Sequence, residues 1–138
     1  MKSDNISNLK WAKRGVVGFI AATLVITALE FPAPIGFETR PQDNVSMVWL
    51  FFFLVIVVTE VATIPLIFKK AKLGSLFGIT AGVLNILQVV ADQTHLMQPE
   101  VAPLGYALLE YAVAIISIVL IYLSLKIYKK SYGMEDNI

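Results

Sequence analysis

The chain has 138 residues, 57% of them hydrophobic and only 15% charged, with a mean hydropathy of +0.75. Soluble domains carry about 25% charged residues, and disordered chains are poor in apolar ones, so neither class fits. Zero cysteines exclude a disulfide scaffold, a thiolate metal site and a Cys nucleophile; one histidine excludes any site needing two; and the net charge of +1 conceals an uneven distribution.

Four apolar stretches follow one another. A spanning helix needs roughly 20 mostly apolar residues, because the hydrocarbon core is about 30 Å thick. The first helix is predicted over 11–31, with Trp11, Lys13 and Arg14 reaching the interface on long side chains. A signal peptide is the alternative for this stretch, but no A-x-A cleavage site stands out, and an uncleaved helix is the expectation. The connection 31–44 holds Pro32, Pro34, Gly36 and Pro41, which break helices, and Glu38, Arg40 and Asp43, which are expected to stay wet. The second helix, 45–68, carries Glu60, Thr63 and Pro65. Pro65 cannot donate to the carbonyl of Val61, so a bend is expected there. Residues 69–74 make a tight basic turn before the third helix, 75–97. Pro99, Pro103 and Gly105 separate it from the fourth, 106–128. The runs are too long and too continuously apolar for barrel strands. The fold class is therefore all-α: an integral membrane four-helix bundle, with 1–138 as one membrane domain.

Ten of the eleven Lys and Arg residues fall before or at the start of the first helix, in the middle turn or at the end of the fourth; Arg40 is the exception. The positive-inside rule then predicts cytoplasmic N and C termini. These charges match topology, so they imply no nucleic-acid partner. Trp49 and Tyr106 at one face, with Trp11 and Tyr128 at the other, fit interfacial belts.

Ionisable side chains inside a span cost about 2.5–3.5 kcal/mol and call for a partner or a function. Helix three places Gly74, Gly78, Gly82, Asn85 and Asp92 on one face, with Gln88 and His95 at its edge. Ile79, Val83, Ile86, Val90 and Met97 form the opposite face, suited to lipid. The glycines read as close-packing positions, and the amides either glue helices together or line a pocket. Glu60 has no basic residue within reach along its helix, so burial favours the neutral acid. It either hydrogen-bonds Asn85 or backbone to hold the bundle, or couples protons or binds a ligand.

A second polar group gathers at the helix ends: Glu30, Asp92, His95 and Glu110. Asp92 and His95 are three apart and can face one ligand, and a pair between His95 and a carboxylate is expected. The same spacing occurs in bundle metal sites, but one His with scattered acids points to a hydrogen-bonded network, and no metal or cofactor is expected. The ligand-binding candidates are Glu60, Asn85, Gln88, Asp92, His95 and Glu110. No nucleophile elbow, phosphate loop, metalloprotease motif or dinucleotide fingerprint is present.

The stretch from Glu60 through Lys69, Lys70, Gly78 and Gly82 to His95 and Glu110 resembles the DoxX-like group of small membrane proteins. That resemblance implies a bacterial or archaeal plasma membrane, and an accessory role near quinone-linked complexes. A local run, Thr59-Glu60-Val61-Ala62-Thr63 with Leu66 and Lys69, looks like the Glu-bearing helix of small multidrug resistance transporters. There the Glu exchanges protons for cationic drugs. The Glu here lies in helix two, and the ten-to-one basic bias fixes one orientation, which an antiparallel dimer cannot have.

Three functions follow, in order. The first is an accessory protein binding a hydrophobic small molecule, a quinone or lipid, or a membrane-protein partner. The second is a proton-coupled transporter using Glu60. The third is a membrane enzyme with His95 and Asp92 or Glu110 as acid and base. The lipid bilayer is the one certain partner, and a homo-oligomer is compatible with all three.

Overall fold

A computed structural model of the chain describes residues 2–31, 36–40 and 46–135. Four helices carry it: α1 (Lys2–Leu29), α2 (Met47–Lys69), α3 (Ala71–Gln93) and α4 (Leu104–Glu135). Each holds a run long and apolar enough to span a membrane: Asn8–Leu29, Met47–Lys69, Ala71–Gln93 and Leu104–Ser131. The protein is an all-α, membrane-embedded four-helix bundle. Pro32, Pro34, Pro41 and Asp43 lie outside the described residues.

The helix ends differ from the sequence reading for local reasons. At their polar ends α1 and α4 run past the apolar stretches, because nothing in those segments breaks a helix. Helix α3 stops at Gln93 rather than at 97. His95 takes a left-handed φ of 60°. The N–H of His95 donates to the Asp92 carbonyl at 2.9 Å, and that of Leu96 to the Ala91 carbonyl at 2.9 Å. This is a Schellman cap with His where Gly usually sits, and His is one of the few residues that tolerate that backbone region. Only Lys70 separates α2 from α3.

The buried seams follow a three-four spacing. In α4 they are Glu110, Val113, Ser117, Leu120, Ser124, Ile127 and Ser131; in α2 they are Ile56, Glu60, Thr63 and Ile67. That spacing is the one left-handed bundles use, and the small or hydroxyl residues let backbones approach. Helix α3 packs along α4 and α2, and α1 along α4, whereas α1 and α2 are the least closely packed neighbours. Val83 and Val90 of α3 are exposed, as lipid-facing residues should be. Ile79 and Ile86 are half-buried, and Met97 lies beyond the helix and turns inward.

Candidate functional site

Two polar sites lie inside the bundle. The first is at mid-height. Glu60 is fully buried, and its Oε1 accepts hydrogen bonds from Asn85 Nδ2 at 2.8 Å and Thr23 Oγ1 at 2.7 Å. Three helices thus meet at one carboxyl oxygen. Asn85 was expected there; Thr23 was not, because nothing in the sequence says which face of α1 meets α2. Glu60 Oε2 has no partner among the described residues.

The second site closes the end of the bundle where α1 meets the loop. The loop folds back: Phe37 N–H donates to the Leu29 carbonyl at 2.7 Å, and Glu38 N–H to the Phe31 carbonyl at 3.1 Å. Gly36 makes this possible, since a Cβ there would run into the Phe31 and Leu29 carbonyls. The return places Arg40 against Asp92 of α3 and Tyr106 of α4. All five of its side-chain N–H donors are used. Nε and Nη2 bond Glu38 Oε2 at 3.0 and 2.8 Å, Nη2 and Nη1 bond the two Asp92 oxygens at 2.8 and 3.1 Å, and Nη1 reaches the Glu100 carbonyl at 3.3 Å. The guanidinium also sits 4.7 Å from the Tyr106 ring centre. Burial opposes the Arg40 charge, but its hydrogen bonds to Asp92 and Glu38 outweigh that and raise its pKa.

Glu38 and Arg40 are therefore buried, contrary to the expectation that they stay wet. A charge leaves water only when it is paired and fully hydrogen-bonded, and each supplies what the other needs. The sequence did carry a signal. Arg40 is the only Lys or Arg away from the basic end, and six acids (Glu30, Glu38, Asp43, Asp92, Glu100 and Glu110) fall at its own end.

The other carboxyls complete the cluster. Glu110 is buried, accepts a hydrogen bond from Gln93 Nε2, and lies beside Asp92 and Glu30. Tyr111 in turn donates to Gln93 Oε1 at 3.2 Å. His95 does not join. It is exposed on the cap, and among the described residues its side chain makes no pair with a carboxylate. The expected sharing of one face by Asp92 and His95 fails because the helix ends between them.

Burial, reinforced by the Asp92 and Glu38 charges and opposed by Arg40, pushes the Glu30 carboxyl up to about 8. Its ordinary value is 4.5, so between the two the folded chain holds a proton that the unfolded chain has lost. Stability should therefore fall as pH rises from about 4.5 to about 8. Glu30→Gln should flatten this part of the dependence in a melting series across that window. An unchanged slope in the variant would refute the assignment.

Beside the cluster lies a cavity of about 160 Å³, whose polar lining includes Glu30, Glu38, Gln88, Gln98 and Tyr106. It shares Thr27, Phe31, Leu50 and Phe53 with an apolar groove of about 600 Å³ between α1 and α2. The T-shaped Phe31–Phe53 contact, at 5.4 Å, stands between the two. Of the candidates, Gln88 lines the cavity, Asp92 and Glu110 stand behind it, and Glu60 with Asn85 forms the separate mid-height site. Glu30, Glu38, Arg40, Gln98 and Tyr106 complete the end site and were not among the ligand-binding candidates.

Comparison with known families, characterised proteins and solved structures finds no match for the chain. The functional reading rests on the geometry and the residues alone.

Proposed function

We propose that the protein is a small accessory membrane protein that holds a hydrophobic small molecule, a quinone or lipid, between α1 and α2. The observation that supports this is that an apolar groove and a polar cavity lie side by side, sharing Thr27, Phe31, Leu50 and Phe53 as walls. An amphiphile would lay its tail against Leu24, Leu50, Leu54 and Val57, with its head beside Glu30, Gln88 and Gln98. The loose α1–α2 packing leaves that side open to the bilayer. The DoxX-like resemblance, a prokaryotic plasma membrane and cytoplasmic termini belong to the same reading.

Extraction of the purified protein and mass spectrometry test it. A stoichiometric amphiphile should accompany the wild type and be lost from Leu54→Trp, which fills the groove. Equal amounts of lipid with both proteins would overturn the reading. Topology is checked separately. Reporters fused at the C-terminus and inserted beside Arg40 should report opposite compartments, and a C-terminal reporter on the outer side refutes cytoplasmic termini.

The second reading, a proton-coupled carrier, is favoured by one observation: Glu60 Oε2 is buried without a partner among the described residues. Glu60→Gln should preserve the Asn85 and Thr23 contacts and the fold. If Glu60 carries protons, the substitution abolishes cation-driven proton flux in liposomes. Wild-type vesicles showing no such flux for any lipophilic cation would leave Glu60 as a structural clasp.

A further inference from the structure

We infer that the cavity at the Glu30 end receives the ammonium head of a long-chain amine, whose alkyl tail lies in the α1–α2 groove. This rests on the groove-bound amphiphile proposed above and narrows it to a lipid-like amine in place of a quinone or phospholipid.

Hydrogen-bonding demand comes first. Glu30 Oε1 and Gln98 Oε1 belong to cavity-lining residues, are buried and have no partner among the described residues; Glu110 Oε1 is in the same state. Gln98 Oε1 is an acceptor, and the two carboxyl oxygens are acceptors once their protons have left. Glu30 is 8% exposed, Gln98 7% and Glu110 1%, so little of any of them reaches the surface. A ligand that satisfies them must bring donors. An ammonium group brings three and no acceptor, whereas an oxidised quinone brings only acceptors.

Charge points the same way. Four carboxyls face one guanidinium. Arg40 commits every N–H donor it has to Glu38, Asp92 and the Glu100 carbonyl. No other Lys or Arg occurs between Arg14 and Lys69, or between Lys72 and Lys126. Glu30 and Glu110 are left without a cation. A phosphate-bearing lipid head would meet this acid excess with more negative charge, so phospholipids fit poorly.

Shape and wall chemistry agree. The cavity is bounded by Phe31, Trp49, Phe53 and Tyr106, and aromatic faces attract ammonium groups. Its 160 Å³ is close to the roughly 150 Å³ of a cavity that holds benzene, enough for an ammonium and its first few methylenes. The adjoining groove, which shares four lining residues with the cavity, takes the rest of the alkyl chain.

Entry of the cation also moves a proton. The groups facing Glu30 are Asp92, Glu38, Arg40, Glu110 and Tyr106. An ammonium ion arriving at a protonated Glu30 forms an ion pair, and the carboxyl proton leaves to solvent. Charge is conserved at the site, and binding tightens as pH rises toward the Glu30 value.

The test uses the full chain with Trp11→Phe, leaving Trp49 as the one tryptophan, in phosphatidylcholine nanodiscs with empty discs as control. Decylammonium, decanol and a decyl-chain quinone are titrated against Trp49 fluorescence. Decylammonium should saturate the signal at a concentration at least roughly tenfold below decanol, as a buried charge pair demands. Its binding should strengthen between about pH 6.5 and pH 8. Glu30→Gln should erase the preference for the amine and leave decanol unchanged. Equal saturable binding of all three probes, or full amine affinity in Glu30→Gln, overturns the inference while the amphiphile reading stands. No saturable response to any probe overturns both. The wild-type comparison of amine with alcohol decides the matter even where the variant fails to fold.

Discussion

Arg40→Met should destabilise the folded protein by about 3–5 kcal/mol, the usual consequence of stranding a buried charge. Methionine keeps much of the side-chain volume but supplies none of the five N–H donors. Glu38 and Asp92, 5% and 3% exposed, would then face each other with no cation between them. Each must take up a proton or draw in water, and either route opens the loop end. Arg40→Lys should fall between, since an ammonium is a point charge and cannot reproduce the fork that grips both Asp92 oxygens. Adding Asp92→Asn to Arg40→Met should recover part of the loss, because one stranded charge is removed. Thermal melting in detergent measures all four proteins. A melting temperature for Arg40→Met equal to that of the wild type would show that the loop is not held by this pair.

The bundle itself was legible because each span is long, apolar and bounded by Pro, Gly or Lys. Those signals are local, and the physics that reads them needs no partner. The small-residue face of α3 was legible for the same reason: Gly74, Gly78, Gly82, Asn85 and Asp92 repeat at helical spacing, and all are buried. Contacts set by chain return were not. Arg40 and Asp92 are 52 residues apart, and a Pro-rich loop has no periodicity to say which way its charges turn. Thr23 was missed because a threonine on an apolar helix looks like any other small residue until the neighbouring helix is known. His95 was misplaced by carrying the helical wheel two residues past the end of α3, onto a cap that uses His in place of Gly. A terminus is the weakest part of any helical reading, and the proposed acid–base role for His95 depended on one.

Helix α3 should be the least forgiving element, and its glycines should rank by what stands opposite them. At Gly74 a Cβ would run into the backbone of Ile67, because the one-residue turn at Lys70 folds the start of α3 onto the end of α2. Backbone cannot rotate aside, so even Gly74→Ala should cost about 3 kcal/mol, the upper end of ordinary overpacking. At Gly78 the nearest atom is Ser124 Oγ, 2.5 Å from the added Cβ. A hydroxyl can turn away, so Gly78→Ala should be milder than Gly74→Ala. Gly78→Leu adds three further carbons with α4 directly behind, and should prevent the helices from closing. At Gly82 a Cβ would sit 2.6 Å from Ile121 Cγ1 and 3.0 Å from the Ser117 carbonyl, which places it between the other two. Val83 faces outward at 43% exposure, so Val83→Leu should stay within about 0.5 kcal/mol of the wild type. Melting of this series in one detergent reads the order directly. If Gly74→Ala and Gly78→Leu melt with Val83→Leu, then α3 does not pack through its glycine face and the bundle is arranged differently.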